Sequence, residues 1–165
     1  MSEKHWIKNA ATCLEESLYP VPHESNEIDW KINLSENKER LTEHLIAFAN
    51  HANGGFMVFG VSDSNGNLSA ITQDEAGKII NTLANIGRDA IEPPLILDHA
   101  IVEFKNTPIL FVYITEQKNK PVHRRGKSIE ASWIRSGGTT RKASRHDVGS
   151  LMLNSSAPTW EELRA

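Results

Sequence analysis

Two adjacent glycines, Gly54 and Gly55, constrain this chain more than any other feature. Ahead of them Leu41, Leu45, Phe48, Ala49 and Ala52 recur at the spacing of one helix face. After them comes Phe56-Met57-Val58-Phe59-Gly60-Val61, an apolar run of strand length. Such a run, without polar alternation, reads as a central strand. Asn53-Gly54-Gly55 is a helix stop, because glycine takes left-handed backbone at little cost. A helix that turns at once into a buried strand demands helices layered on a sheet.

The rest of the chain fits that demand. Residues 4–18 read as an amphipathic helix with Trp6, Ile7, Ala10, Ala11, Leu14 and Leu18 near one face, ended by Pro20 and Pro22. Ile28 to Ile32 reads as a short strand. Asn33 to Glu36 resembles a capping box that opens the second helix, which runs to about His51. Ser64-Asn65-Gly66-Asn67 is a turn by composition. Thr72 to Glu75 is a second capping box, opening a helix through about Arg88 that buries Ile79, Ile80, Leu83 and Ile86. Pro93-Pro94 closes that segment. Leu95 to Glu103 and Ile109 to Thr115 form a hairpin through Lys105-Asn106. Ile129 to Arg135 is a further strand, followed by a flexible turn at Gly137-Gly138-Thr139-Thr140. Ser144 to Asp147 caps a helix carrying Val148, Leu151 and Met152, and Thr159 to Glu162 starts one more. Mixed helices, strands and hairpins give an α+β fold: a single compact domain over 1–153, a mixed β-sheet flanked by helices. Residues 154–165 are a C-terminal tail or the start of a further helix.

A chain of 165 residues is long enough for one domain with a real core. No apolar run approaches the roughly 20 residues of a membrane span, and the polar N-terminus has no signal peptide. Cys13, the single cysteine, rules out an internal disulfide and a cysteine zinc cluster. These features point to the reducing cytoplasm. The net charge of −3 argues at first against nucleic acid, but the charge is unevenly spread. Lys118, Lys120, Arg124, Arg125, Lys127, Arg135, Arg141, Lys142 and Arg145 fall in one segment whose only acid is Glu130. That segment carries +8 and leaves −11 for the remainder. It reads as a basic footprint on an acidic body, or as a loop face whose charges pair with acids elsewhere.

The acids form the second pattern. Glu24 precedes the first strand, Asp29 lies in it, and Asp63 follows the next. Phosphodiester cleavage with Mg²⁺ or Mn²⁺ needs clustered hard oxygen ligands. If the two strands pair, the three carboxylates meet at one sheet edge. Lys31 shares the face of Asp29 by strand alternation and is placed to offset phosphate charge. The alternative is a set of surface acids and one ion pair, unremarkable among 21 acids. Trp133 and Arg135 alternate along a strand, with Arg141, Lys142 and Arg145 beyond; guanidinium groups suit phosphate, and Trp133 either stacks on a base or fills the core. Arg124-Arg125-Gly126-Lys127 resembles a loop that clamps a backbone. Gly126-Lys127-Ser128 ends like a P-loop, but the required first glycine is Pro121, so a nucleotide cradle is rejected. The histidines show no metal-ligand spacing; His23, beside Glu24, is the one placed to act as acid or base.

These residues, in order, carry a resemblance. Glu24-x-x-x-x-Asp29-Trp30-Lys31, Ala47-Phe48-Ala49-Asn50, Gly54-Gly55 and Phe59-Gly60-Val61-Ser62-Asp63 resemble the Schlafen AlbA-like domain. Ile91-Glu92-Pro93-Pro94, Pro121, Trp133-Ile134-Arg135-x-Gly137-x-Thr139 and Ala143 agree, so the resemblance spans roughly residues 15–153. Bacterial members are labelled DNA-binding or RecG-helicase-related regulators. The resemblance implies a mixed α/β nucleic-acid-binding domain. Some Schlafen proteins cleave tRNA and rRNA with three acids and a divalent metal; by position these are Glu24, Asp29 and Asp63. Asp29 stands where glutamate is commoner, which shortens one ligand by a methylene. The zinc cluster of animal Schlafens cannot be built from one cysteine, and their second tandem lobe would here have to come from a homodimer. No Walker motif supports a helicase. Three functions therefore stand open: a metal-dependent endoribonuclease; a non-catalytic DNA- or RNA-binding module of a regulator or RecG-related protein; and a protein-interaction or nucleotide-sensing domain.

Overall fold

A computed structural model describes residues 4–155 of the chain; the helix read at 159–162 lies outside them. Helix α1 (Ile7–Leu18) is followed by strand β1 (Ile28–Lys31), helix α2 (Lys38–Asn50) and strand β2 (Gly55–Phe59). Helix α3 (Gln73–Asp89) leads through β3 (Ile91–Glu92) to the hairpin β4 (Asp98–Phe104) and β5 (Thr107–Ile114). β6 (His123–Arg124), β7 (Trp133–Ser136), β8 (Thr139–Lys142) and α4 (Arg145–Leu153) complete the described chain.

The main sheet has the order β1-β2-β5-β4, with β1 parallel to β2 and the other pairings antiparallel. Side-chain alternation sorts its residues to two faces. Ile28, Trp30, Phe56, Val58, Ile109 and Phe111 pack beneath Ala10, Leu14 and Leu18 of α1 and its N-cap residue Trp6. Met57, Phe59, Leu110, Val112 and Ile114 pack on the other face against Leu41, Leu45 and Phe48 of α2 and Ile79 and Leu83 of α3. The continuous apolar run of β2 follows from this: it is covered on both sides. The α+β expectation, with helices flanking a mixed sheet, is met.

Local chemistry sets the boundaries. Thr72 and Glu75 form the full capping box at the start of α3, and Ser144 and Asp147 form another at α4. The box expected at Asn33–Glu36 does not open α2; Asn37 caps it instead, its side chain accepting from Arg40 N at 3.1 Å. Residues 32–37 are spent crossing from the sheet to the helix layer, so the helix begins later. Lys105 and Asn106 both take positive φ, as the expected two-residue hairpin requires. Gly137 and Gly138 also take positive φ, and the segment read as a flexible turn is a second tight hairpin, β7–β8, lying against α2.

Candidate functional site

The acids before and within β1 do come together. Asp29 points to the α2 face of the sheet, between Ile28 and Trp30 that point to α1, and is 4% exposed. Glu24 folds back over the strand, and its Oε1 accepts from the Trp30 backbone N at 3.1 Å. Burial, then the neighbouring Asp29 charge, pushes the Glu24 carboxyl up to about 7. Lys31 Nζ lies 3.4 Å from Asp29 Oδ2, as strand alternation predicts. That distance and geometry make an ion pair without a hydrogen bond, and Oδ2 is buried with no hydrogen-bond donor.

Two residues that sequence reasoning did not place here complete the surroundings. His44 is buried on α2, with Nδ1 2.8 Å from Thr140 Oγ1. Burial pulls its pKa down to about 4, against the pull of Asp29. Arg135 Nη1 donates to the same Thr140 oxygen at 3.0 Å. Arginine only donates, so the Thr140 hydroxyl has its own proton to give to Nδ1 of a neutral His44, which then carries its proton on Nε2. The signal for His44 was in the sequence: with Leu41, Leu45 and Phe48 it completes an i, i+3, i+4, i+7 stripe, and a polar residue on that stripe must be buried with a partner.

Arg135 corrects an expectation. It does not face solvent to grip a phosphate backbone; it is 5% exposed. Nε donates to the Asn26 carbonyl at 3.1 Å, and Nη2 donates to the Ser25 and Ile28 carbonyls at 2.7 and 2.8 Å. Its guanidinium lies 4.6 Å from the Phe48 ring centroid. Desolvation lowers its pKa, while Asp29 and Glu24 raise it. Gly138 N donates to Asn26 Oδ1 at 2.8 Å, and Arg40 Nη2 donates to the Thr140 carbonyl at 3.0 Å. The β7–β8 hairpin is thus latched onto the turn that carries Glu24.

Asp63 is not gathered with these groups. It is exposed in the turn after β2, where Ser62 N bonds the Asn67 carbonyl. That turn sits against Leu18 and Pro22 at the α1 side, whereas Asp29 faces α2. Among the described residues no three His, Cys, Asp or Glu side chains are arranged to hold a metal ion. The expected Glu24, Asp29 and Asp63 set therefore does not fit Mg²⁺ or Mn²⁺ as arranged; Glu24 and Asp29 alone converge. His23 is exposed, its Nδ1 3.0 Å from the Val21 carbonyl. Burial, then Glu27 and Glu16, pushes the Cys13 thiol up to about 11, so it is not a ready nucleophile.

The basic segment divides. Lys120 pairs with Glu116. Arg124 stands 3.8 and 3.5 Å from Glu39 and Glu43, and 5.2 Å from the Trp133 ring centroid. Trp133 packs against the α2–α3 core, in line with its core reading. Arg125 pairs with Glu92 at 3.5 Å and Arg141 with Asp147 at 3.0 Å. With Arg135 buried, five of the nine cations are engaged. Lys118, Lys127, Lys142 and Arg145 are exposed and have no acidic partner among the described residues.

A sheet covered by helices on both faces, a buried Asp29 on its edge strand with half-buried Glu24 beside it, and a latched basic hairpin define a small α+β domain of one recognisable class. The family model described as Schlafen, AlbA_2 matches residues 24–144, and the chain belongs to that family. No curated protein matches it. Among solved structures, a crystal structure of a Corynebacterium diphtheriae protein superposes with a TM-score of 0.58 at 14% identity, covering 94% of this chain and 30% of that one. The chain thus spans less than a third of that protein's length. The solution structure of the N-terminal domain of a RecG-related protein from Nitrosomonas europaea gives a TM-score of 0.55 at 22% identity, covering 82% of this chain and 94% of that domain. At these identities both establish the fold. Among the described residues no helix is long and apolar enough to cross a membrane.

Proposed function

We propose that this chain is a nucleic-acid-binding domain. The observation that carries the reading is the set of exposed cations in the 118–145 segment that have no acidic partner among the described residues, in a chain that is otherwise acidic. Lysine and arginine free of internal partners can replace the counterions of a phosphate backbone. The family and the RecG-related neighbour point the same way.

A second reading, metal-dependent endonuclease activity on a tRNA-type substrate, is favoured by one observation: half-buried Glu24 and Lys31 stand beside buried Asp29, whose Oδ2 is an unsatisfied acceptor. In that reading Glu24 and Asp29 would supply the acids of the site and Lys31 would face the phosphate, while Asp63 stands apart from them. A homodimer would supply a second lobe.

One experiment separates the two readings. Labelled tRNA and single- and double-stranded DNA are incubated with the protein in Mn²⁺, Mg²⁺ or EDTA, beside a Glu24→Ala/Asp29→Ala variant. Retarded, uncut nucleic acid in every condition supports the binding domain. Cleavage that needs metal and is lost in the variant replaces it with the nuclease. Absence of both retardation and cleavage at low salt overturns both readings.

A further inference from the structure

The face that carries two of the unpaired cations also carries a hollow. Lys142 and Arg145 rim a cleft of about 300 Å³ whose other walls are Ile129, Glu130, Ala143, Ser144 and Val148. This is the small end of the range of ligand clefts, roughly 300–1,000 Å³. Ala143 and Val148 are buried below it, while Ile129 is a large apolar side chain left 40% exposed at its lip. Ser144 Oγ is occupied by Asp147, so the hydroxyl belongs to the α4 cap. Glu130 is exposed, and among the described residues its carboxylate pairs with no base. Three chemistries therefore meet in one place: cations at the rim, an apolar floor, and an acceptor-only carboxylate at the edge.

We infer that this cleft seats one unstacked base of a single-stranded nucleic acid, with its flanking phosphates on Lys142 and Arg145. The inference rests on the nucleic-acid-binding reading above and names the substrate class of the same face. A duplex presents stacked bases whose flat sides are unavailable, whereas a single strand or a bulge can turn a base outward. Apolar walls hold the flat sides of an extruded base, as Ile129, Ala143 and Val148 are placed to do. Glu130 repels phosphate, so the backbone runs on the Lys142 and Arg145 side of the cleft. The Glu130 carboxylate offers only acceptors for hydrogen bonds. It therefore favours a base bearing an exocyclic amino group, cytosine above all, over uracil or thymine, which offer a carbonyl at that position.

The test is fluorescence anisotropy with labelled oligo-dC, oligo-dT and a mixed-sequence duplex, on the wild type and three surface variants. The expected result is oligo-dC bound about tenfold tighter than oligo-dT, with the duplex weaker than oligo-dC. Glu130→Gln, whose amide also donates, should narrow the gap between oligo-dC and oligo-dT. Ile129→Ser should weaken both single strands and leave the duplex unmoved. Lys142→Glu/Arg145→Glu should weaken all three. Equal affinity for all ligands, with Ile129→Ser and Glu130→Gln silent but the double reversal still weakening binding, overturns the base-seating cleft and leaves the binding reading in place. No binding of any ligand overturns the reading itself. All the altered residues are exposed, so unchanged circular dichroism is expected to exclude misfolding as the cause.

Discussion

At the scale of single residues, Glu24 and His44 pull the pH dependence of stability in opposite directions. Glu24 holds its proton more tightly in the folded chain, where its pKa is about 7 against an ordinary 4.5. Its contribution is full below 4.5 and is lost as pH rises through about 7. His44 is the reverse, at about 4 against 6.5, so it contributes above 6.5 and is lost as pH falls through about 4. Across their shared window the two slopes oppose each other. Glu24→Gln should leave the His44 slope exposed, with the melting temperature climbing from about pH 4 to 6.5. His44→Asn should leave the Glu24 slope, with the melting temperature falling from about pH 4.5 to 7. Calorimetry across that range checks both; identical profiles in the two variants would show that neither group controls it. Sequence reasoning saw Glu24 but not its burial or that of His44. A carboxyl's burial depends on what folds over it, here the strand of Trp30 and the hairpin beyond.

At the scale of elements, Arg135 and Gly138 tie the β7–β8 hairpin to the Glu24 turn, while Arg40 and His44 tie it to α2. Arg135→Met would leave the carbonyls of Ser25, Asn26 and Ile28 without the donors they now share, at a cost of about 3 kcal/mol. Gly137 and Gly138 make a paired test, since both take positive φ. A Cβ on Gly137 meets open space, so Gly137→Ala should cost about 1 kcal/mol from backbone strain alone. A Cβ on Gly138 would stand 2.3 Å from the Glu24 carbonyl oxygen, so Gly138→Ala should cost clearly more, about 2–3 kcal/mol. Urea midpoints decide it, and equal losses for the two glycines would mean the hairpin does not press on the Glu24 turn. The element pattern also explains what was legible. The β4–β5 hairpin and the α3 capping box declare themselves locally, through alternation and through Thr72 and Glu75. Strand β8 does not, because Thr139–Lys142 lacks apolar alternation; Thr140 faces inward to meet Arg135 and His44 rather than a hydrophobic core. Asn37 rather than Asn33 caps α2 because the length of a crossover is a tertiary quantity that a four-residue motif does not encode.

At the scale of the whole molecule, the question is how much of the +8 segment is available to a partner. The sequence shows where the charges fall and not which of them are paired, since Glu39, Glu43 and Glu92 lie far from Arg124 and Arg125 along the chain and reach them only through the packing of α2 and β3. Binding of a phosphate backbone reports this directly, because the logarithm of affinity falls with the logarithm of salt in proportion to the phosphates neutralised. Nine available cations would give a slope of about −6 on single strands, and the four unpaired ones about −3. The expected slope is therefore about −3 for single-stranded DNA, measured by anisotropy over a series of salt concentrations. Lys142→Glu/Arg145→Glu should bring it nearer to −1, since two of the four contacts are removed. A wild-type slope near −6 would require the pairs of Lys120, Arg124, Arg125 and Arg141 all to open when nucleic acid arrives. Arg135 would still be unable to join them, because moving it to the surface undoes the latch on the Glu24 turn. A steep slope that survives Arg135→Lys would place the extra contacts on the acid-paired arginines, and a slope close to zero would remove nucleic acid as the partner of this face.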